Sequence, residues 1–132
     1  MKIRYAVVVV GAMLLMRAVP AVAHHSFATQ YDVTKPIQAT GVVTKVEWTN
    51  PHARVYIDVP NEKGGVSNWN FEMASPNVLV RNGWKRTTLK IGDRITIAGY
   101  LARTGPPMAI AGTMTGPNGQ KLFASNTSDT AN

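Results

Sequence analysis

Two segments of strict alternation constrain the fold of this chain more than any other feature. Between residues 55 and 59 every second position is valine or isoleucine, and residues 66–73 repeat the pattern with larger apolar side chains. The turn-forming sequence Pro-Asn-Glu-Lys-Gly-Gly separates the two segments. A period of two is that of a strand with one buried face, so the pair predicts a β-hairpin. The predicted buried face comprises Val55, Ile57, Val59, Trp69, Phe71 and Met73, and the opposite face comprises Arg54, Tyr56, Asp58, Asn68, Asn70 and Glu72.

The order of elements around this hairpin predicts the fold class. A long β-rich segment, residues 37–49, precedes it. After it, Ser75 and Pro76 are a preferred N-cap and first helical residue, and Gly83 suits a left-handed helix end, which predicts a short helix over residues 77–82. Further strands are predicted over residues 94–101, 108–115 and 120–124. Three strands, a helix and two or three strands is the order of an OB-fold. We therefore predict an all-β domain with one short helix, an OB-like five-stranded Greek-key barrel.

The amino terminus has the three parts of a cleavable signal peptide. Lys2 and Arg4 are followed by an uncharged apolar run, and Ala21-Val22-Ala23 supplies small residues for cleavage. Arg17 ends the apolar run after about half of the ~20 residues that a membrane-spanning helix needs. We therefore expect residues 1–23 to be removed, leaving no transmembrane segment. The mature protein, beginning at His24, is expected in the bacterial periplasm or outside the cell.

Composition sets the size and partners of the mature protein. The chain has no cysteine, so packing and hydrogen bonds must stabilise it without disulfides. About 109 residues remain after cleavage, enough for one domain. The net charge falls from +7 to +4 when three basic residues leave with the signal. We expect a monomer or weak oligomer, with a polar lead-in over residues 24–36, the β domain over residues 37–124 and a disordered tail over residues 125–132.

Several stretches carry a resemblance to a known family. They are His24-His25-Ser26-Phe27-Ala28, residues 41–52 ending in Trp48-Thr49-Asn50-Pro51-His52, Ser75-Pro76-Asn77, Arg81-Asn82-Gly83-Trp84 and residues 89–93. On these stretches the chain resembles a family of small exported bacterial proteins of unknown function. The resemblance covers nearly all of the mature chain and implies export and a compact β domain. It implies no activity, and at Arg54 it leads us to expect a more apolar residue.

The three histidines suggest a metal site. Cleavage after Ala23 would give His24 a free amine beside its own imidazole, and the two groups together can chelate one metal ion. His25 or His52 could add another nitrogen, and such neutral ligands suit Cu(II) best among the common divalent metals. The terminus is similar in this respect to copper-dependent polysaccharide monooxygenases. The alternative, to which we give more weight, is a solvated terminal pair together with a turn capped by His52.

Other catalytic patterns are absent from the sequence. It has no glycine-rich phosphate loop, no Gly-x-Ser-x-Gly elbow and no cysteine nucleophile. The carboxylates Glu47, Asp58 and Glu72 fall on predicted strands, where single acids usually belong to the solvated face. We therefore expect a protein that is not an enzyme.

Two classes of binding partner remain to be weighed. Aromatic and basic side chains suggest a nucleic-acid surface, but Trp69 falls in register with the core and export removes the protein from most nucleic acid. Asparagines and an exposed tyrosine suggest sugars or an anionic envelope polymer. We therefore predict a non-catalytic binding module for an envelope ligand or protein, and we do not expect nucleic acid as a partner. The residues in question are Trp48, Tyr56, Trp69, Arg54, Lys85 and Arg86 for nucleic acid, and Asn50, Asn68, Asn70, Asn77 and Tyr56 for sugars.

Overall fold

The computed structural model describes residues 29–127, so the predicted signal peptide lies outside the described residues. Six strands and one short helix make up this part of the chain. No helix within residues 29–127 is both long enough and apolar enough to cross a bilayer. The elements are β1 Tyr31–Glu47, β2 Arg54–Pro60, β3 Val66–Glu72, α1 Pro76–Arg81, β4 Arg94–Ala102, β5 Met108–Thr115 and β6 Lys121–Phe123.

The strands form one sheet that returns on itself. Its order is β3-β2-β1-β4-β5-β6, and all of these neighbours are antiparallel. A short parallel pairing of β3 with β5, from Asn70 opposite Met108 to Glu72 opposite Ile110, closes five strands into a ring. The helix lies in the connection from β3 to β4. The predicted fold class is confirmed: the domain is mostly β with one short helix, and its ring of five strands is barrel-like and OB-like.

The first strand is longer than the sequence indicates. β1 has 17 residues and begins at Tyr31, within the stretch predicted to be a lead-in. Tyr31 is buried and pairs with Ala102 of β4, and the register shifts before pairing resumes at Pro36. Three of the four residues 32–35 are polar, and the segment is mostly exposed, so it has the composition of a loop although its backbone is a strand.

The hairpin of β2 and β3 has the predicted faces. Val55, Ile57 and Phe71 are fully buried, and Met73 beyond the end of β3 is buried with them. Trp69 is half-buried and packs on this core, with its ring stacked 5.9 Å from that of Phe71. The apolar alternation therefore points into the ring of strands, and the intervening polar residues point outward.

The helix boundaries follow the predicted capping residues. The hydroxyl of Ser75 accepts a hydrogen bond of 3.4 Å from the Val78 amide, and Pro76 is the first helical residue. Leu79 is fully buried and attaches the helix to the core. Gly83 has φ of 88°, the left-handed backbone that follows a helix end.

Trp84 ties the segment after the helix to the end of the sheet. Its side chain is buried, and its indole N–H donates a 2.7 Å hydrogen bond to the carbonyl of Phe123 in β6. The chain continues to pack just after β6, where the hydroxyl of Ser125 donates to the Ala111 carbonyl at 2.5 Å. Residues 125–127 of the predicted tail are therefore attached to β5, and residues 128–132 lie outside the described residues.

Candidate functional site

A buried carboxylate lies at the end of β3. Glu72 is on the outward-pointing face of the hairpin, and the sequence predicts it to be solvated, but its side chain is only 5% exposed. That prediction is wrong because Tyr31, at the start of β1, packs with Ala102 and Ile110 beside the place where β3 meets β5. A carboxylate removed from water needs charged or hydrogen-bonding partners.

Arg54 supplies the charge partner of this carboxylate. It stands opposite Glu72 in the register of β2 and β3, and its Nη2 atom lies 2.6 Å from Oε2 of the carboxylate. Its Nη1 atom also donates a 3.3 Å hydrogen bond to the side-chain oxygen of Asn70. The arginine at a position where the family resemblance suggested an apolar residue is thus the counter-charge of a buried acid.

His52 contacts the other oxygen of the same carboxylate. It lies in loop 48–53, between β1 and β2 as predicted, and its Nδ1 atom is 2.7 Å from Oε1 of Glu72. The contact is an ion pair when the imidazole is protonated, and half of the His52 side chain is exposed.

Tyr31 completes the cluster. Burial raises the pKa of its hydroxyl well above the usual range, and the negative charge of Glu72 adds to the effect. The opposing effect of the Arg54 charge is smaller. Three elements of the fold, β1, loop 48–53 and β2, therefore place a side chain on one carboxylate of β3. We call Glu72, Arg54, His52 and Tyr31 the Glu72 cluster.

The outer face of β2 and β3 continues from this cluster as a polar surface. The Tyr56 hydroxyl donates to Glu47 at 3.2 Å, and the Lys45 ammonium both hydrogen-bonds Glu47 and lies 5.0 Å from the centre of the Tyr56 ring. The Lys45 hydrogen bond lowers the pKa of the Glu47 carboxyl. Further along, the Asn68 amide donates to Asp58 at 2.8 Å. This surface presents amide, phenol and charged groups that are ordered by one another.

The structure brings together only part of each proposed residue set. Asn68, Asn70 and Tyr56 share the outer face of the hairpin, whereas Asn77 belongs to α1. The aromatic residues of the nucleic-acid set are divided as well. Trp48 is half-buried, packs on the core and lies 6.4 Å from Trp84, so like Trp69 it is a core-packing residue more than a free stacking platform.

Of the three proposed metal ligands, only His52 lies within the described residues. His52 is positioned, while His24 and His25 lie outside the described residues. Within residues 29–127 no group of three or more His, Cys, Asp and Glu side chains is placed to hold a metal ion. A metal site at His52 therefore needs ligands from elsewhere in the chain. The sequence analysis missed the Glu72 cluster, although the opposite charges of Arg54 and Glu72 at matching distances from the hairpin turn were a signal for it.

Taken together, these features define a small, mostly β protein of OB-like connectivity with a histidine–carboxylate–arginine cluster at the end of its hairpin. The chain belongs to a family of unknown function, DUF6152, whose model matches residues 12–111. No curated protein and no solved structure matches the chain.

Proposed function

We propose that this protein is an exported, non-catalytic binding module of the bacterial cell envelope. Its binding surface in this proposal is the outer face of β2 and β3 together with loop 48–53. OB-folds bind oligosaccharides and oligonucleotides on the face of strands 2 and 3 and the adjoining loops. The single observation that carries the proposal is that this face holds an ordered polar surface, from Lys45 and Tyr56 to the Glu72 cluster.

The chemistry of this surface favours a polar ligand such as an envelope sugar or an anionic polymer. Asn68 and Asn70 offer amide groups for hydroxyls, and Tyr56 offers an aromatic ring on which a sugar can pack. Lys45 and Arg54 are each paired with a carboxylate, so the attraction for an anionic polymer comes from the basic balance of the mature chain as a whole. Trp48 and Trp69 pack on the core, which makes a nucleic-acid ligand less suitable.

A sedimentation assay with defined envelope polymers tests this proposal. Purified mature protein is mixed with peptidoglycan sacculi, or with lipopolysaccharide in a separate arm, and the bound fraction is measured. We expect binding to one of them, weakened at least tenfold by the double substitution Tyr56→Ala and Asn68→Ala. The matched control is Asn118→Ala, in the turn between β5 and β6. No binding to either polymer, or equal binding by the double variant, would contradict the assignment of this face.

A second candidate function is Cu(II) binding by His24 with His25 or His52. Two observations favour it: His52 Nδ1 is engaged by Glu72, which leaves Nε2 for a metal, and Tyr31 lies against the same carboxylate. His25 precedes Tyr31 by six positions, and a segment of that length spans at most about 20 Å. In this proposal the short segment brings the mature terminus to His52.

Copper titration of correctly processed protein tests this candidate. We expect one equivalent of Cu(II) and a nitrogen-rich paramagnetic spectrum, both lost when one alanine is inserted before His24. An unchanged affinity in that variant would eliminate the terminal amine as a ligand. The same preparation tests export, because the intact mass of protein from the cell envelope fraction should correspond to a chain that begins at His24. A full-length chain confined to the cell interior would contradict both proposals.

A further inference from the structure

The positive charge of the domain is concentrated in one segment, residues 80–94, which runs from the end of α1 to the first residue of β4. This basic segment has a net charge of +4, whereas the rest of residues 29–127 has a net charge of +1. Nearly all of the excess charge therefore lies in one connection of the fold. Its basic residues are Arg81, Lys85, Arg86, Lys90 and Arg94, and its one acid is Asp93.

The charges of the basic segment are available to a partner. All five basic residues are exposed, and none of them forms an ion pair with a carboxylate among residues 29–127. Lys35, Lys45 and Arg54, by contrast, are each paired with an acid. The carboxylate of Asp93 accepts a 2.8 Å hydrogen bond from the backbone amide of Lys90, so it is engaged within the turn. An uncompensated positive surface of this kind attracts an anionic partner.

Exposed apolar side chains accompany these charges. Ile91 is 75% exposed and Val80 is 55% exposed, and each is next to a basic residue in the chain. Val42, also exposed, stands opposite Arg94 in the register of β1 and β4, so both side chains leave the sheet on the same side. Three of the five large apolar side chains that are exposed in residues 29–127 thus border basic residues. A dissolved polyanion would not cover them, whereas the interfacial layer of a bilayer accepts basic and apolar side chains together.

The basic segment is held firmly on the domain. Trp84 and Leu89 are buried and anchor its middle to the core. Nearer its end, the Gly92 amide donates to the Val43 carbonyl and the Val43 amide donates to the Asp93 carbonyl, both at 2.8 Å. The exposed side chains are therefore presented from a preformed backbone, so little backbone ordering has to accompany binding.

We infer that the basic segment is a contact surface for an anionic phospholipid bilayer. Its basic side chains lie among the lipid headgroups, and Ile91 and Val80 enter the interfacial layer. This surface contains no residue of β2, β3 or loop 48–53. The inference therefore goes beyond the binding face proposed above and does not depend on it.

Co-sedimentation of the purified mature protein with lipid vesicles tests the inference. We expect binding to vesicles of phosphatidylcholine and phosphatidylglycerol in equal parts, and roughly tenfold or more weaker binding to phosphatidylcholine alone. Added salt should weaken the binding, because it screens the exposed charges. No binding to the anionic vesicles, or equal binding to the two kinds of vesicle, would overturn the inference.

A pair of charge variants locates the surface. The double substitution Lys85→Gln and Arg86→Gln should weaken binding to the anionic vesicles roughly tenfold or more, because each basic residue near such a surface contributes about fivefold. The matched control, Lys63→Gln with Lys121→Gln, removes the same charge from exposed positions outside the basic segment. We expect it to change the binding by less than about twofold. Equal losses in the two double variants would show that total charge determines the binding, and the assignment to this segment would be wrong.

An apolar variant separates a bilayer from a dissolved polyanion. Ile91→Ser should weaken vesicle binding about three- to tenfold, because an aliphatic side chain no longer leaves water. Val66→Ser, at a 59% exposed position at the start of β3, is the matched control and should bind as the wild type does. Undiminished binding by Ile91→Ser would overturn the inference, and so would tight binding of a single-stranded oligonucleotide without any binding to anionic vesicles.

The variant used for the envelope polymers keeps the two surfaces apart. The double substitution Tyr56→Ala and Asn68→Ala leaves the basic segment intact, so it should bind anionic vesicles as the wild type does. A loss of vesicle binding in this variant would place the lipid contact on the face of β2 and β3 and overturn the inference.

Discussion

The guanidinium of Arg54 lies 2.6 Å from the carboxylate of Glu72, and the two residues are partners in the register of β2 and β3. The pair closes the end of the hairpin that is farthest from its turn. Loop 48–53 and the start of β1 meet at this end of the hairpin. Breaking the Arg54–Glu72 pair should therefore affect both the stability of the domain and any ligand bound there.

Removing Arg54 should destabilise the fold. Arg54→Ala leaves a buried carboxylate without its counter-charge, a change that costs about 3–5 kcal/mol in fully buried pairs. The Arg54 side chain is 27% exposed and water can partly replace it, so we expect ~2 kcal/mol. Urea unfolding of the purified protein measures the loss. The double variant Arg54→Met with Glu72→Leu should recover much of the stability, because no unpaired charge remains; a loss larger than that of Arg54→Ala would contradict this account.

Tyr31 should make the protein sensitive to alkaline pH. Its pKa is raised in the folded state, mainly by burial, so above pH about 10 the unfolded tyrosine ionises while the folded one keeps its proton. The unfolded state then binds fewer protons than the folded state, and the free energy of unfolding falls as pH rises. Tyr31→Phe should flatten this decline. Unfolding free energies measured between pH of about 9 and 11 test it; parallel curves for the two proteins would show that Tyr31 is not responsible.

Gly99 should not tolerate a side chain. A Cβ atom at this position would lie 1.8 Å from the carbonyl oxygen of Ile110, a backbone atom of the neighbouring strand β5. The contact falls at the irregular register between β4 and β5, so Gly99→Ala must push the two strands apart. We expect a loss of about 1–3 kcal/mol or more. Gly65→Ala is the control, because its nearest contacts would be 3.7 Å away, and a similar loss in both variants would point to a general effect of alanine.

Trp84 should contribute through its indole N–H as well as its packing. Trp84→Phe keeps an aromatic ring but leaves the Phe123 carbonyl without its donor, for an expected loss of ~1–3 kcal/mol. Thermal unfolding followed by circular dichroism measures it. Val80→Ala, on the exposed side of α1, is a local control with an expected change below about 0.5 kcal/mol. A loss no larger than that of the control would mean that the hydrogen bond contributes little.

The hairpin and the helix could be predicted because their signals are local. Alternation fixes which side chains of β2 and β3 point inward, and Ser75, Pro76 and Gly83 mark the helix through properties of their own backbones. The ring of strands follows less directly, from the order of elements. The ring is closed by the pairing of β3 with β5, whose paired residues are nearly 40 positions apart. Neither strand has a sequence pattern that indicates this pairing.

The Glu72 cluster escaped prediction for the same reason. An acid on the outward face of a strand is ordinarily solvated, and its burial here depends on Tyr31, 41 positions earlier in the chain. The segment after Tyr31 is polar enough to resemble a loop, so the sequence did not indicate that β1 begins as early as Tyr31. His52 could be singled out as a candidate ligand from its residue type and position, but its carboxylate partner could not.

The first strand pairs with β2 on one side and with β4 on the other, and its Thr40 hydroxyl meets that of Thr96, 56 positions later. During synthesis, the backbone groups on one edge of β1 can therefore pair with β2, but those on the other edge have no strand to pair with until β4 has been made. Folding rates fall as contacts become more distant along the chain, so assembly of this domain is expected to be a slow step that comes near the end of synthesis or after it. Throughout the interval in which β1 lacks its β4 partner, the ring of strands stays open and the core inside it stays accessible to water.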